Sequence, residues 1–166
     1  MISMKIAAAP ILVLFAVAGA NAGERNDFNP PCEVAQAGAC AWGNLERRNL
    51  DGRDLSDSNY KAVHMHGASL RRAMLARLDL QTADVSDADF TDADLNHASF
   101  FAANAGKTVF AGADLSGASF TRANLVGADF RGAKIDRMTL FIGSRLAGAI
   151  WIDGRICSPD SIGACN

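Results

Sequence analysis

Every fifth residue from Leu45 to Leu140 is apolar, twenty positions in a row without a break in phase. A period of five matches neither the helical period of about 3.6 nor the strand period of about 2. A helix would scatter such positions by about 140° at each step. It would also have to carry glycines and turn-forming Asx residues in its interior. A fixed short period instead marks a solenoid, whose corners return to the same angle every repeat. Five residues cannot bury their own apolar side chain, so successive turns must stack.

A second position is nearly as regular. Two residues before each central residue, from Ala68 to Ala133, alanine fills twelve of fourteen positions, with Leu78 and Thr108 the exceptions. The residue just before the centre is usually Asp, Asn or Ser, as in Ala113-Asp114-Leu115-Ser116-Gly117 and Ala123-Asn124-Leu125-Val126-Gly127. In an extended segment two residues two apart point the same way. The large one fills the interior and the small one fits a corner. Asx and Ser side chains bond nearby backbone and suit tight turns.

This pattern resembles the pentapeptide-repeat family over about two-thirds of the chain. The resemblance implies an all-β fold, a right-handed quadrilateral β-helix with four pentapeptides per coil, here about five to six coils. Residues twenty apart should then lie above one another. One such column reads Leu50, Leu70, Phe90, Phe110, Phe130, and another Tyr60, Leu80, Phe100, Phe120, Leu140. Ala105 leaves a gap in its column, and Val63, Leu78 and Met138 are bulky where alanine is preferred, so those coils are expected to bulge. After Leu140 the phase slips by one, and Leu146, Trp151 and Ile156 continue it as a sixth, imperfect coil.

The N-terminus carries Lys5, an apolar run from Ile6 to Ala18 and an Ala20-Asn21-Ala22 site, the form of a secretory leader cleaved after Ala22. The run is short for a bilayer span, which favours a leader over an anchor. The expected organisation is a leader at 1–22, an N-terminal cap at 23–42, a solenoid at 43–156 and a C-terminal cap at 157–166. The mature chain should be periplasmic or secreted, with no stable membrane insertion. Four cysteines flank the repeat as two Cys-x7-Cys pairs. Export exposes them to an oxidising space. With the family's coil geometry, the two ends of the rod are roughly 24 Å apart. Disulfide geometry then favours Cys32–Cys40 and Cys157–Cys165 over the cross-rod pairings. A zinc site would use closer spacing. The closing stretch Ile156-Cys157 to Cys165 is similar to endings on exported members of the family.

No catalytic set emerges. His64 and His66 flank Met65 and lack a third placed ligand, and His97 falls on another face, so they read as surface histidines rather than a metal site. The aspartates occupy the turn position of the repeat, which explains them without acid–base roles. No cofactor or metal is expected. Without the leader the chain has 15 basic and 18 acidic residues, since the 16 basic residues lose Lys5. The distribution is uneven: Arg47, Arg48, Arg53, Lys61, Arg71, Arg72 and Arg77 precede six Asp between Asp79 and Asp94. The candidate binding surface is Arg47, Arg48, Arg71 and Arg72, which could meet a polyanion or could be a solvated, salt-bridged surface. Phe101 and Phe141 follow central residues and are expected to face outward together; with Ile142 they could form an apolar patch for a protein partner or a homodimer, or be partly shielded by the caps or neighbouring loops. The expected function is a non-enzymatic exported module that binds or scaffolds through rigid faces. The resemblance also raises an alternative, the DNA-mimicking members that bind gyrase. The leader and the weakly acidic surface argue against it, and no nucleic-acid partner is expected. A secreted effector or cell-surface factor is a further alternative.

Overall fold

The computed structural model describes residues 32, 34 and 36–166. The expected leader at 1–22, its cleavage site after Ala22 and most of the expected N-terminal cap lie outside the described residues. From Gln36 the chain winds as a right-handed quadrilateral β-helix, a few residues before the expected boundary at 43. Coils 1 to 5 span 36–55, 56–75, 76–95, 96–115 and 116–135. Parallel bridges join residues twenty apart in every coil, as in Asn44, His64, Asp84, Asn104 and Asn124. That column is face B. Face A carries Ala39, Asn59, Asp79, Ser99 and Ser119. Face C carries Asn49, Ser69, Asp89, Val109 and Asp129, and face D carries Asp54, Met74, Asp94, Asp114 and Lys134.

Each corner follows one local rule. The small residue donates its N–H to the carbonyl of the central residue three back, as Ala113 does to Phe110 at 3.1 Å and Ala123 to Phe120 at 2.9 Å. The third residue of that turn lies at positive φ. Glycine suits it, and Gly52, Gly112 and Gly132 fill it, but Arg72 (φ 54°), Thr82 (φ 57°) and His97 (φ 56°) adopt it too. A residue with a Cβ pays about 1–2 kcal/mol for this conformation. The stacked coil holds it there: Thr82 N–H donates to Phe101 O in the next coil at 2.9 Å. The Asx residue before the centre braces the same corner. Asp89 Oδ1 accepts from Thr91 N–H at 2.9 Å, and Asn49 Oδ1 from Asp51 N–H at 2.9 Å.

The core is a stack of central residues walled by alanines. Phe90, Phe110 and Phe130 stack near-parallel at 5.5 and 5.1 Å, and Phe100, Phe120 and Phe141 at 4.8 and 5.1 Å. The two columns meet edge to face, for example Phe110 on Phe120 at 5.4 Å. Both geometries suit the ring quadrupole. At Val63, Leu78 and Ala105 the expected bulges do not occur and the bridges keep their step of twenty, whereas the coil carrying Met138 does depart, its step becoming twenty-one. The corners absorb the extra bulk, leaving Val63 and Leu78 buried. Beside Ala105, buried Thr108 fills the space and donates its hydroxyl to Val85 O at 2.8 Å.

The phase slip lies earlier than expected. The bridge step changes from twenty to twenty-one at Ser119↔Leu140, so the extra residue sits between Ile135 and Phe141. Asp136 builds the enlarged corner. Its Oδ1 accepts from Gly117 N–H, Met138 N–H and Thr139 N–H at 3.0, 2.9 and 3.0 Å. Phe141, not Leu140, is therefore the central residue. It is 9% exposed and stacks on Phe120, which corrects its expected place on an outer face. Leu140 takes the outward position. Ile156 is likewise not a core residue: coil 6 ends after Trp151, and the chain turns back so that Ile156 pairs antiparallel with Ile150.

The two ends are closed differently. At the C-terminus, 156–162 runs antiparallel over Ile150 and Arg145, covering faces C and B, and Cys157–Cys165 pins it with 4.8 Å between Cα atoms. At the N-terminus Cys32 is bonded to Cys40, 4.6 Å between Cα atoms, and Cys40 is itself a buried central residue. Gly43 stands at a corner that later coils give to Ala83, Ala103 and Ala123, because a Cβ there would collide with the Cys40 sulfur.

Candidate interaction surfaces

Part of the charge on the sides of the rod is paired internally. Lys61 pairs with Asp79 at 3.2 Å, Arg131 with Asp129 at 2.6 Å and Lys134 with Asp114 at 2.8 Å, and Arg77 lies against Asp57. The Arg77 guanidinium holds the Asp57 carboxyl below its usual range, and Arg131 does the same for Asp129. Partial burial pushes Asp114 up, but hydrogen bonds from Lys134 and Ser116 outweigh it and leave the carboxyl well below its usual range. On face B an amide ladder runs up the rod: Asn124 Nδ2 donates to Asn104 Oδ1 and Asn104 Nδ2 to Asp84 Oδ1, both at 3.0 Å. His64 is bridged to Asp84 one coil below it in this ladder, as the repeat implies. His66 turns to the next corner, 3.1 Å from Ser86 Oγ and 3.7 Å from Asp87. No group of three metal-binding side chains forms among the described residues.

The N-terminal end is different. The four corner positions of coil 1 are Gly38, Gly43, Arg48 and Arg53. Gly38 and Gly43 are buried on the side of the disulfide, whereas Arg48 and Arg53 are exposed. Beneath these arginines the same corners hold buried Ala68 and Ala73. An arginine cannot enter such a corner. Both arginines are exposed instead. Arg47 and Arg72 lie at neighbouring corners in left-handed conformation. Among the described residues no carboxylate reaches ion-pair distance of Arg47, Arg48, Arg53 or Arg72. Arg71 behaves otherwise: it lies 3.7 Å from Asp89, and its N–H donates to Asp51 at 2.9 Å. The sequence patch thus loses Arg71 to a side pairing and gains Arg53. The signal for Arg53 was present in its corner register. Trp42, 70% exposed, stands on the same coil.

The C-terminal end is apolar. Phe101 is on the surface, with the Arg122 guanidinium 5.8 Å above its ring, but its expected companion Phe141 is buried. Two coils on, the same corner presents Ile142, flanked by Leu140, and Ile162 lies where the returning cap crosses face B. Ile142 is exposed as expected, whereas Leu140 was missed because the phase was counted forward from Leu45, and Ile162 because it lies in the returning cap, outside the repeat. Counted back from Trp151 and Leu146, the phase puts Phe141 in the core and Leu140 and Ile142 outside.

The pentapeptide-repeat family model matches residues 68–104 and 98–136 in 8 copies. The chain is a pentapeptide-repeat protein. Among solved structures it is similar to HetL, a pentapeptide repeat protein involved in heterocyst differentiation regulation from Nostoc sp. strain PCC 7120. That similarity is 25% identity with a TM-score of 0.50, over 73% of this chain and 65% of HetL, so the chain spans just under two-thirds of HetL's length. It is also similar to a pentapeptide repeat protein from the Arabidopsis thaliana thylakoid lumen, at 24% identity, TM-score 0.45, over 78% and 77% of the two chains. QnrB1, a plasmid-mediated fluoroquinolone resistance protein, matches at 20% identity and a TM-score of 0.34 over 69% and 65%. No curated protein matches the chain. No helix among the described residues is long and apolar enough to cross a membrane.

Proposed function

We propose that this pentapeptide-repeat protein is an exported, non-enzymatic module that binds or scaffolds through its rigid surfaces, with an anionic partner at its N-terminal end. One observation carries the reading. Among the described residues Lys61, Arg77, Arg131 and Lys134 pair with aspartates along the sides, while Arg47, Arg48, Arg53 and Arg72, none within ion-pair distance of a described carboxylate, gather at one end. A local excess of one charge on a rigid frame steers a partner of opposite sign. The two disulfides fit an oxidising compartment and support export. The weakly acidic balance, 15 basic against 18 acidic residues without the leader, also weighs against mimicry of DNA for a topoisomerase.

The test of binding is retention of the oxidised protein by a soluble polyanion, dextran sulfate, at low salt. Binding that Arg48→Glu with Arg53→Glu abolishes supports the reading, and unchanged binding by that variant sinks it. The test of export is the intact mass of the native protein from separated cell fractions, before and after reduction. A species starting at Gly23 with four cysteines blocked until reduced supports it, and an uncleaved cytoplasmic species with four free thiols overturns it.

The exposed Leu140, Ile142 and Ile162 favour a second contact, with a protein or a second copy, at the other end. Sedimentation equilibrium over a concentration series decides whether the chain self-associates there.

A further inference from the structure

We infer that the N-terminal end of the rod docks on an anionic lipid surface, with Arg48 and Arg53 facing the headgroups, Arg47 and Arg72 at the rim, and Trp42 at the interface. The inference deepens the anionic-partner reading above and rests on it.

Four observations select a lipid surface over a linear polyanion. First, Arg47, Arg48, Arg53 and Arg72, none within ion-pair distance of a described carboxylate, cluster at an end of the rod. Arg48 and Arg53 occupy adjacent corners of a square coil, roughly 10 Å apart at three extended residues per side. A planar array of headgroups meets such an end directly. Second, a chain-like polyanion would have to run up a side. On the faces beneath the arginines, Arg71, Arg131 and Lys134 are already paired with Asp89, Asp129 and Asp114, so those faces offer it little free positive charge. Third, Trp42 stands at the same end, 70% exposed, in a left-handed turn that fixes its backbone. An indole has an apolar body and a polar N–H, the combination enriched where protein meets the lipid headgroup layer. A soluble polyanion offers no such layer. Fourth, arginine keeps its charge at any working pH and bonds phosphate through a planar fork.

The mode is peripheral. It requires no spanning segment, and none of the described residues forms one. Each arginine near an anionic leaflet should change partitioning about fivefold, and the contribution should fade with salt over a Debye length of roughly 10 Å. The rod would then stand off the membrane, presenting the apolar Leu140, Ile142 and Ile162 end about 24 Å away, at five stacked steps.

The experiment uses the oxidised native protein with vesicles of phosphatidylcholine alone, vesicles of phosphatidylcholine with phosphatidylglycerol, and dextran sulfate in solution. The expected result is co-sedimentation with the anionic vesicles only, weakened by salt, with a blue shift of tryptophan emission. Trp42→Phe should remove the shift, leaving Trp151 as the remaining tryptophan. Arg48→Gln with Arg53→Gln should lower the partition coefficient by about 25-fold. Arg131→Gln, on a paired side arginine, should leave it unchanged. Binding to dextran sulfate without binding to vesicles overturns the lipid inference and leaves the anionic-partner reading standing. Binding to neither overturns both. Vesicle binding that survives the double Arg variant, or a blue shift that survives Trp42→Phe, overturns the assignment of this end.

Discussion

Replacing Phe141 by alanine separates the two ways of phasing the last coil. In the structure Phe141 stacks on Phe120 at 5.1 Å, meets Phe130 edge-on at 5.8 Å and touches the Trp151 ring at 5.2 Å between centroids. Truncating a buried Phe costs about 3–5 kcal/mol including the cavity. Phe141 lies at the end of its stack and keeps 9% exposure, so the lower part of that range, about 3 kcal/mol, is expected. For a chain of this size each kcal/mol lowers Tm by about 2–4 °C, giving a drop of roughly 6–12 °C. Phe101→Ala removes a surface ring and one exposed cation–π contact, a cost of about 1 kcal/mol. Leu140→Ser should be close to neutral, since that side chain is already outside. The assay is urea unfolding followed both by far-ultraviolet circular dichroism and by fluorescence of Trp151 in a Trp42→Phe background. Solenoids can unfold from one end, so the fluorescence transition should shift at least as much as the dichroism. If Phe101→Ala or Leu140→Ser costs more than Phe141→Ala, the placement of the extra residue at Asp136 is wrong.

Thr82→Gly should stabilise the rod by about 1 kcal/mol in the same unfolding assay, because a β-branched residue there is held at φ 57°; a loss of stability would refute the strain argument. The carboxyls of Asp57, Asp129 and Asp136 lie below their ordinary 3.8 when folded, held down by Arg77, by Arg131 and by the Gly117 N–H respectively. Their contribution is complete above that value and is lost as pH falls through the lower folded values. The urea midpoint should therefore be flat near neutrality and fall below about pH 4, less steeply in Asp136→Asn; a midpoint that rises on acidification would contradict the sign. Replacing Cys157 and Cys165 together by serine should cost about 2.5 kcal/mol on the chain-entropy model. It should also free Ile156 and Ile162 from their antiparallel pairing, which amide hydrogen exchange at 156–163 would register. Unaltered protection there would show that the disulfide does not hold the cap.

The interior of the rod was legible in the sequence because each coil meets the same environment above and below. The phase from Leu45 to Ile135, the alanine corners and the Asx braces all follow from contacts made one coil away. Both disulfides were legible for a related reason, since each cysteine pair is close in sequence and lies at one end. The bulges expected at Val63 and Leu78 did not occur, because neighbouring side chains absorbed the volume without moving the backbone register. The Phe141 error came from an accident of composition: Leu140 and Phe141 are both apolar, so either could continue the count. Thr139, two before Phe141, fits a corner where Met138, two before Leu140, does not. The structure buries its neighbourhood accordingly, with Thr139 Oγ1 donating to Leu115 O at 3.0 Å.

A local code repeated in tandem is what the sequence by itself determined: a corner every five residues, an inward side chain after each, and a coil closing every twenty. Those features depend on residues near one another in the chain or one coil apart. Tertiary structure decided what happens where a neighbouring coil is missing. Arg48 and Arg53 obey the corner register yet are exposed, because among the described residues no further coil stacks on coil 1 to enclose them. Leu140 and Ile142 are exposed because they point outward where the returning cap, which crosses faces B and C, does not reach, and Ile162 is exposed on the cap itself. A periodic pattern specifies its own interior, but its ends are boundary conditions, and the free charge and free apolar surface of this protein lie at those ends.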